Sequence, residues 1–414
     1  MTGKPALDDI GRDYAALAFG IAHHVPGYID AWLGSDDDRA KLDPESPPPP
    51  EDLIRAANAL LDRIETLDSG DLRQGYLRTQ ARAMAATARK LAGDTLPYRD
   101  EVALLFDVTP AATPEAVFDA AIATLDQLLP GSGSVAARMN AWRATYTIPP
   151  ERLADVVNVI LPEFKTRTGR IVDLPGDEDV EIRLVQDQPW SGYNWYLGGG
   201  RSRVELNTDL PIHAFRLTDL LAHEAYPGHH TEHMLKERLY TEDGLGEHAL
   251  QLINTPECVI SEGIATTAQE MAFEPDEVIA FRAEQVYPLA GITADAALER
   301  EVLQAEQALR SVSGNAALLL HEGRAAEDEV VAYVQRYALS PEAKARQQVR
   351  FIADPLWRAY IFTYHVGHDL LANWMAGRSD AEKRARFRAL LTTQVYPSAL
   401  SSPLGAEHGD AITQ

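Results

Sequence analysis

Leu221-Ala222-His223-Glu224-Ala225-Tyr226-Pro227-Gly228-His229-His230 closes the amphipathic run from Phe215 to Ala222 and sets three imidazoles and a carboxylate within eight positions. Neutral imidazole nitrogens and carboxylate oxygens are the donors zinc prefers, and a hydrolytic site keeps one position for water, which a neighbouring Glu can deprotonate. His223 followed by Glu224 supplies a ligand and a base together.

The spacing differs from the H-E-x-x-H motif, in which two His four apart share one helix face. Position four is Pro227 here. On an unbroken helix His229 would point about 120° away from His223, and His230 would face the same way but about 10 Å further along. Neither shares an ion with His223 unless the backbone changes course. Pro227 removes an N–H and collides with the carbonyl of residue 223, and Gly228 tolerates backbone angles that other residues resist, so a break or one-turn bulge is expected. His229 needs the smaller correction and is the preferred second ligand. His230 stays the alternative, and otherwise supports the site or touches substrate. Glu232 and His233 are expected on the solvent face.

A third ligand is sought downstream, and Glu262 stands 33 residues after His229 inside Cys258-Val259-Ile260-Ser261-Glu262-Gly263-Ile264-Ala265. A helix there buries Glu262, and a lone buried carboxylate is costly unless it is paired or bound to metal. A buried salt bridge or a helix cap is the plainer use of the same residue. Glu270 and Glu274 are expected at the surface.

The pattern H-E-x-x-P-G-H-H followed some thirty residues later by E-G-x-A resembles an uncharacterised bacterial family, a domain of unknown function, of gluzincin-type zinc metallopeptidases. The likeness runs from about Tyr193 to Trp374 and includes Arg350-Phe351, Pro355 and Tyr364-His365-Val366-Gly367. It implies one zinc ion held by His223, His229 and Glu262, with Glu224 as base and Tyr364 near the reacting carbonyl. By the same resemblance a strand edge at Val204 to Asn207 holds the substrate backbone, with Asn207 at its end. Arg350 would meet a substrate carboxylate, and His365 or His368 would be alternative donors. Where the family carries an Asp four residues before the match to His321, this chain has Ala317, which leaves His321 without an assigned role.

Composition frames the reading. The 414 residues are 45% hydrophobic, enough for a substantial core, and carry 62 acidic against 38 basic side chains, a net charge of -24. Such a field repels nucleic acid and anionic membrane surfaces, so neither is an expected partner. A single cysteine, Cys258, excludes an internal disulfide framework. With no signal-type apolar core at the start, the expected location is cytoplasmic.

The fold class expected is mainly α, a large helical body with a small antiparallel sheet beside the zinc helix, gluzincin-like in architecture. Helical periodicity covers Leu7 to Trp32, Leu53 to Leu67, Leu72 to Leu91, Pro114 to Leu129 and Ser134 to Tyr146. Leu42 to Glu51, with four consecutive prolines, reads as a stiff connector, and Thr113-Pro114 as a cap and first helical position. Period-two alternation marks strands at Val180 to Leu184 and Val204 to Leu206, with Gly198-Gly199-Gly200 as a hairpin turn. Residues 1–165 are expected to form a helical lobe over the cleft, 166–402 the catalytic body and 403–414 a frayed tail.

The function expected is hydrolysis of peptide amide bonds by metal-activated water. A zinc amidase acting on a small non-peptide molecule, and a non-catalytic helical protein with a structural His cluster, are the alternatives. Imidazole with carboxylate also accommodates other transition metals, and neither the oligomeric state nor the physiological substrate is written in the residues.

Overall fold

Helices begin where the chain supplies caps and end where it breaks their hydrogen-bond ladder. The computed structural model describes residues 4–67, 72–188 and 190–401; the expected tail at 403–414 lies outside them. Its first part runs α1 (Asp9–Ala22), β1 (Ile29–Trp32), α2 (Asp36–Leu42), α3 (Pro50–Ile64), α4 (Leu72–Leu91), α5 (Tyr98–Phe106), α6 (Glu115–Leu128), α7 (Val135–Ala144) and α8 (Leu153–Thr168). Asp8 caps α1 by accepting the Gly11 N–H at 2.9 Å, and Ser134 caps α7 from the Ala137 N–H at 3.2 Å.

Then come β2 (Asp179–Val185), β3 (Gly192–Gly198), β4 (Arg201–Asn207), α9 (Ala214–Glu224), α10 (His229–Thr241), β5 (Leu250–Leu252) and α11 (Pro256–Ala272). The remainder is α12 (Pro275–Phe281), α13 (Tyr287–Ala290), α14 (Ala296–Gln307), α15 (Val312–His321), α16 (Glu327–Tyr337), α17 (Glu342–Ala353), α18 (Ile361–Met375), α19 (Asp380–Thr392) and α20 (Pro397–Ser401). The molecule is mainly helical, as expected. Among the described residues no helix is long and apolar enough to cross a membrane.

Three local expectations are corrected. The run from Leu7 does not continue to Trp32: α1 stops at Ala22, Gly27 turns the chain at φ +83°, and β1 pairs antiparallel with β5, Ile29 facing Leu252. Helix α6 starts at Glu115, because Thr113 is committed elsewhere: its N–H donates to Asn315 Oδ1 at 2.8 Å and its hydroxyl to Ser311 at 2.9 Å. The sheet beside α9 is mixed. Its order is β2-β4-β3, with β4 antiparallel to β3 but parallel to β2. Strand β4 is therefore central, and Val204 to Asn207 present no free edge; β3 is the outer strand on the side of α9.

The buried apolar clusters join early and late parts of the chain. Phe118, Ile160 and Phe164 pack with Val204, Leu217 and Leu221, while Leu17, Leu60 and Leu77 pack with Tyr240 and Leu250. Full burial of one such side chain contributes roughly 1.5–3 kcal/mol. Two motif glycines have a packing purpose. A Cβ on Gly263 would lie 2.8 Å from Gly367 O, and one on Gly367 only 2.5 Å from Val259 O. Bare backbone at both positions lets α11 and α18 approach closely, which brings Glu262 and Tyr364 into one neighbourhood.

Candidate metal centre

The break predicted after Glu224 is complete, a change of helix and not a bulge. Helix α9 ends at Glu224, the Tyr226–Pro227 bond is cis, and α10 opens at His229. The winding widens through the turn: the Gly228 N–H donates to Ala222 O at 3.0 Å and the Thr231 N–H to Ala225 O at 3.3 Å. Only glycine fits at 228, since a Cβ there would stand 1.9 Å from His223 O. The turn sets the His223 and His229 rings 4.8 Å apart and nearly perpendicular.

His223, Glu224 and His229 offer donor atoms that all lie within 4.8 Å of one another. Glu262, from α11, joins them: its Oε2 stands 3.5 Å from His223 Nε2 and 3.9 Å from His229 Nε2. Zinc–ligand bonds of about 2.0–2.2 Å at tetrahedral angles put donor atoms about 3.4 Å apart, so both Glu262 contacts stand within about 0.5 Å of that spacing. Glu262 is 4% exposed; Tyr360 donates to its Oε1 at 2.8 Å, while Oε2 is buried with no hydrogen-bond partner. An orphaned carboxylate oxygen aimed between two imidazoles is what a cation would satisfy, and the donor set fits zinc.

Charge around the cluster follows from burial and proximity. Burial pushes the Glu224 carboxyl up to about 7, with His229 opposing and Glu262 reinforcing. Burial also raises Glu262 and, with His229, holds His223 well below the ordinary imidazole range. For His229 burial works against protonation, yet Glu232, Glu262 and Glu224 together raise it to about 9.

Ser261 and Glu232 orient the His229 ring. The Ser261 hydroxyl donates to Glu232 Oε2 at 2.5 Å and lies 3.2 Å from His229 Nδ1. Its one proton being spent on Glu232, it accepts from Nδ1–H, which leaves Nε2 facing Glu262. Lys236 closes this chain, 2.7 Å from Glu232 Oε1. Asn194 of β3 pins the end of α9 by donating to Glu224 O at 2.6 Å.

No protein-family model matches the chain, and no curated protein matches it. Solved structures do. One described as the putative lipoprotein from Colwellia psychrerythraea superposes with a TM-score of 0.53 at 16% identity, covering 89% of this chain and 67% of that one. A putative lipoprotein of unknown function from Shewanella oneidensis gives 0.48 at 13% identity, over 85% of this chain and 71% of that one. At 16% identity the first likeness is one of fold alone.

The other named residues divide. Tyr364 is near the cluster: its ring packs edge-on against Tyr360 at 5.7 Å, and burial, then Glu262 and Glu224, keep its phenol well above the usual range. His230 points the other way, with Nδ1 2.8 Å from Ser202 Oγ and Nε2 2.9 Å from Glu178 Oε2, so both ring nitrogens are taken. Asn207 is used by its own loop, donating to Gln188 O and Trp190 O and accepting from Asp209 N–H. His365 is buried against Phe362 and Gly314, and His368 meets Arg310 and Glu270. Arg350 is exposed on α17, which packs on α15 and α16. His321 donates from Nε2 to Ile352 O, 2.6 Å away, and its ring lies tilted against that of Tyr98.

Glu232 and His233 are not on a solvent face. Glu232 is 1% exposed, and the His233 ring lies parallel to His229 at 5.6 Å, with burial lowering it to about 4. Glu270 and Glu274 are exposed as expected. Spacing held a usable signal for Glu232, three positions after His229 and so on the same helix face; nothing local marked Tyr360, whose partner is 98 residues away.

Proposed function

We propose that this chain is a zinc-dependent hydrolase of gluzincin-like architecture that cuts peptide amide bonds, with His223, His229 and Glu262 holding the ion. The observation that carries the reading is the convergence of two imidazoles and Glu262 Oε2, an otherwise unpartnered buried oxygen, across a broken helix. Zinc bound there would polarise the scissile carbonyl and acidify a water.

Glu224 acts as general base. Its carboxylate takes a proton from the attacking water and passes it to the leaving amine, and a carboxyl held up to about 7 by burial is matched to that exchange near neutrality. Tyr364 keeps its proton and donates a hydrogen bond to the carbonyl oxygen as charge grows on it, an effect worth about 3 kcal/mol. Tyr360 fixes the orientation of Glu262. The outer strand β3, tied to α9 through Asn194, offers main-chain groups along which an extended peptide adds as a further strand.

The test pairs metal analysis with turnover. Protein purified without chelators is assayed for bound divalent metal and for cleavage of a short-peptide library. Glu224→Gln should retain the metal and lose about 10³-fold in turnover. Undiminished cleavage by that variant, or a wild-type protein that binds no divalent ion, overturns the reading.

A further inference from the structure

One carboxylate close to the proposed metal centre has, among the described residues, no ion-pair contact. Asp30 lies on β1, where its Oδ1 accepts the Tyr193 hydroxyl. Tyr193 belongs to β3 and precedes Asn194, the residue that holds the end of α9. Asp30 and His229 are near enough to act on each other electrostatically, which places Asp30 at the flank of the proposed site. Beside it opens a cavity of about 360 Å³ with Phe19, Ile29 and Trp32 as its apolar wall and His23, Arg39 and Asp43 as its polar one.

The charges in this cavity are unevenly matched. Asp43 is met by His23 Nε2 at 2.8 Å and by Arg39 Nε at 3.7 Å. Asp30 has the Tyr193 hydroxyl and, among the described residues, no ion-pair partner. Asp30 is partly buried, and its one phenolic hydrogen bond leaves most of its acceptor capacity open to an incoming cation. An ammonium group brings three N–H donors to such a place, and the volume suits a single side chain beside it.

We propose that Asp30, steadied by Tyr193, receives a primary ammonium of the substrate, the free α-amino end of a short peptide, whose first side chain lies against Phe19, Ile29 and Trp32. This rests on the hydrolase reading and narrows its substrates to peptides with an open amino terminus. A lysine side chain carries the same chemistry, so the experiment separates the two sources.

Binding is measured by calorimetry on zinc-treated, full-length Glu224→Gln protein with three probes, Phe-Ala-Ala, N-acetyl-Phe-Ala-Ala and N-acetyl-Lys-Ala-Ala, beside wild-type turnover of the same peptides. The free tripeptide should bind about tenfold or more tightly than its acetylated form, and adding Asp30→Asn should bring that ratio close to one with metal content unchanged. A purely structural Asp30 would weaken all three peptides alike and leave the ratio standing. Tight binding of the acetylated lysine peptide keeps the ammonium site and moves its source to a side chain. Equal binding of all three to the Asp30-containing protein overturns the proposal. Because binding is read directly, discrimination without any turnover would sink the hydrolase reading while sparing the ammonium site, and turnover without discrimination would do the reverse.

Discussion

His229 and His230 are chain neighbours on one helix, each facing a buried glutamate, yet they sit in opposite kinds of surroundings. Around His230 the ring and its carboxylate are matched by protein groups: Ser202 takes Nδ1, Glu178 takes Nε2, Tyr226 donates to the same Glu178 oxygen, and the Lys165 ammonium pairs with the other at 2.5 Å, an ion pair without hydrogen-bond geometry. Around His229 one side is closed by Ser261 and Glu232, and the other ends at Glu262 Oε2, 3.9 Å away and without a hydrogen bond. Burial beside a carboxylate is common to both, so burial does not mark a centre for chemistry. The open side does. A network complete in itself belongs to the fold, and one that stops short asks for something from solution.

Replacing each histidine by alanine separates the two most sharply. His229→Ala removes a proposed ligand and should lower zinc affinity by more than about 100-fold, beyond the 10–100-fold typical of residues that only support ligands. His230→Ala leaves the proposed zinc donors in place but strands part of a buried ionic network, and should cost about 3 kcal/mol of stability. Zinc titration and urea unfolding of both variants read the contrast. A His230 variant that loses zinc while His229→Ala keeps it would invert the assignment.

The same pair marks how far the residues could be read in advance. Pro227 and Gly228 announced a break, because a proline cannot continue the ladder and the wide turn leaves no room for a Cβ at 228. The distance along the chain from His229 to Glu262 was also visible as an acidic residue in an apolar run. What stayed hidden was non-local. Ile29 to Trp32 is four residues long, too short for periodicity to distinguish a strand from the end of a helix, and only its partner Leu250 to Leu252, more than two hundred residues on, makes it β. The parallel pairing of β2 with β4 was missed because alternation is the same in either direction. His230 and Asn207 looked available only because their partners, Ser202, Glu178, Gln188 and Trp190, are brought to them by tertiary packing.

A gentler version removes one hydroxyl from each centre. Ser261→Ala deletes the link between His229 Nδ1 and Glu232, leaving those groups 3.9 Å apart, and should weaken zinc binding about tenfold with little change in the unfolding midpoint. Ser202→Ala leaves a buried nitrogen of His230 without its partner and should cost about 1–3 kcal/mol while zinc affinity stays as it was. If both variants shift stability alone, the distinction between an open and a closed centre fails.

Proton linkage gives the finest discrimination. In the metal-free protein burial disfavours a charged His229, but Glu232, Glu262 and Glu224 hold it at about 9, so at neutral pH the ring carries the proton that zinc must displace. Zinc affinity should therefore climb with pH by up to tenfold per unit below about 9, with about one proton released per ion between pH 7 and 8. Since the folded value lies above that of an unfolded His, this ring stabilises the metal-free fold fully below about 6.5 and ceases to as pH rises through 9. The Glu178 centre behaves oppositely. Burial resists its charge, yet His230, Lys165 and Tyr226 hold it at about 2, so its contribution is intact above about 4.3 and is lost as pH falls towards 2, with or without zinc. Calorimetry in buffers of different ionisation enthalpy counts the released protons, and unfolding followed from pH 2 to 10 separates the two windows. Zinc uptake with no proton release at pH 7 would mean that His229 is not the nitrogen donor, because no ring held charged by three carboxylates can ligate a cation without first giving up its proton.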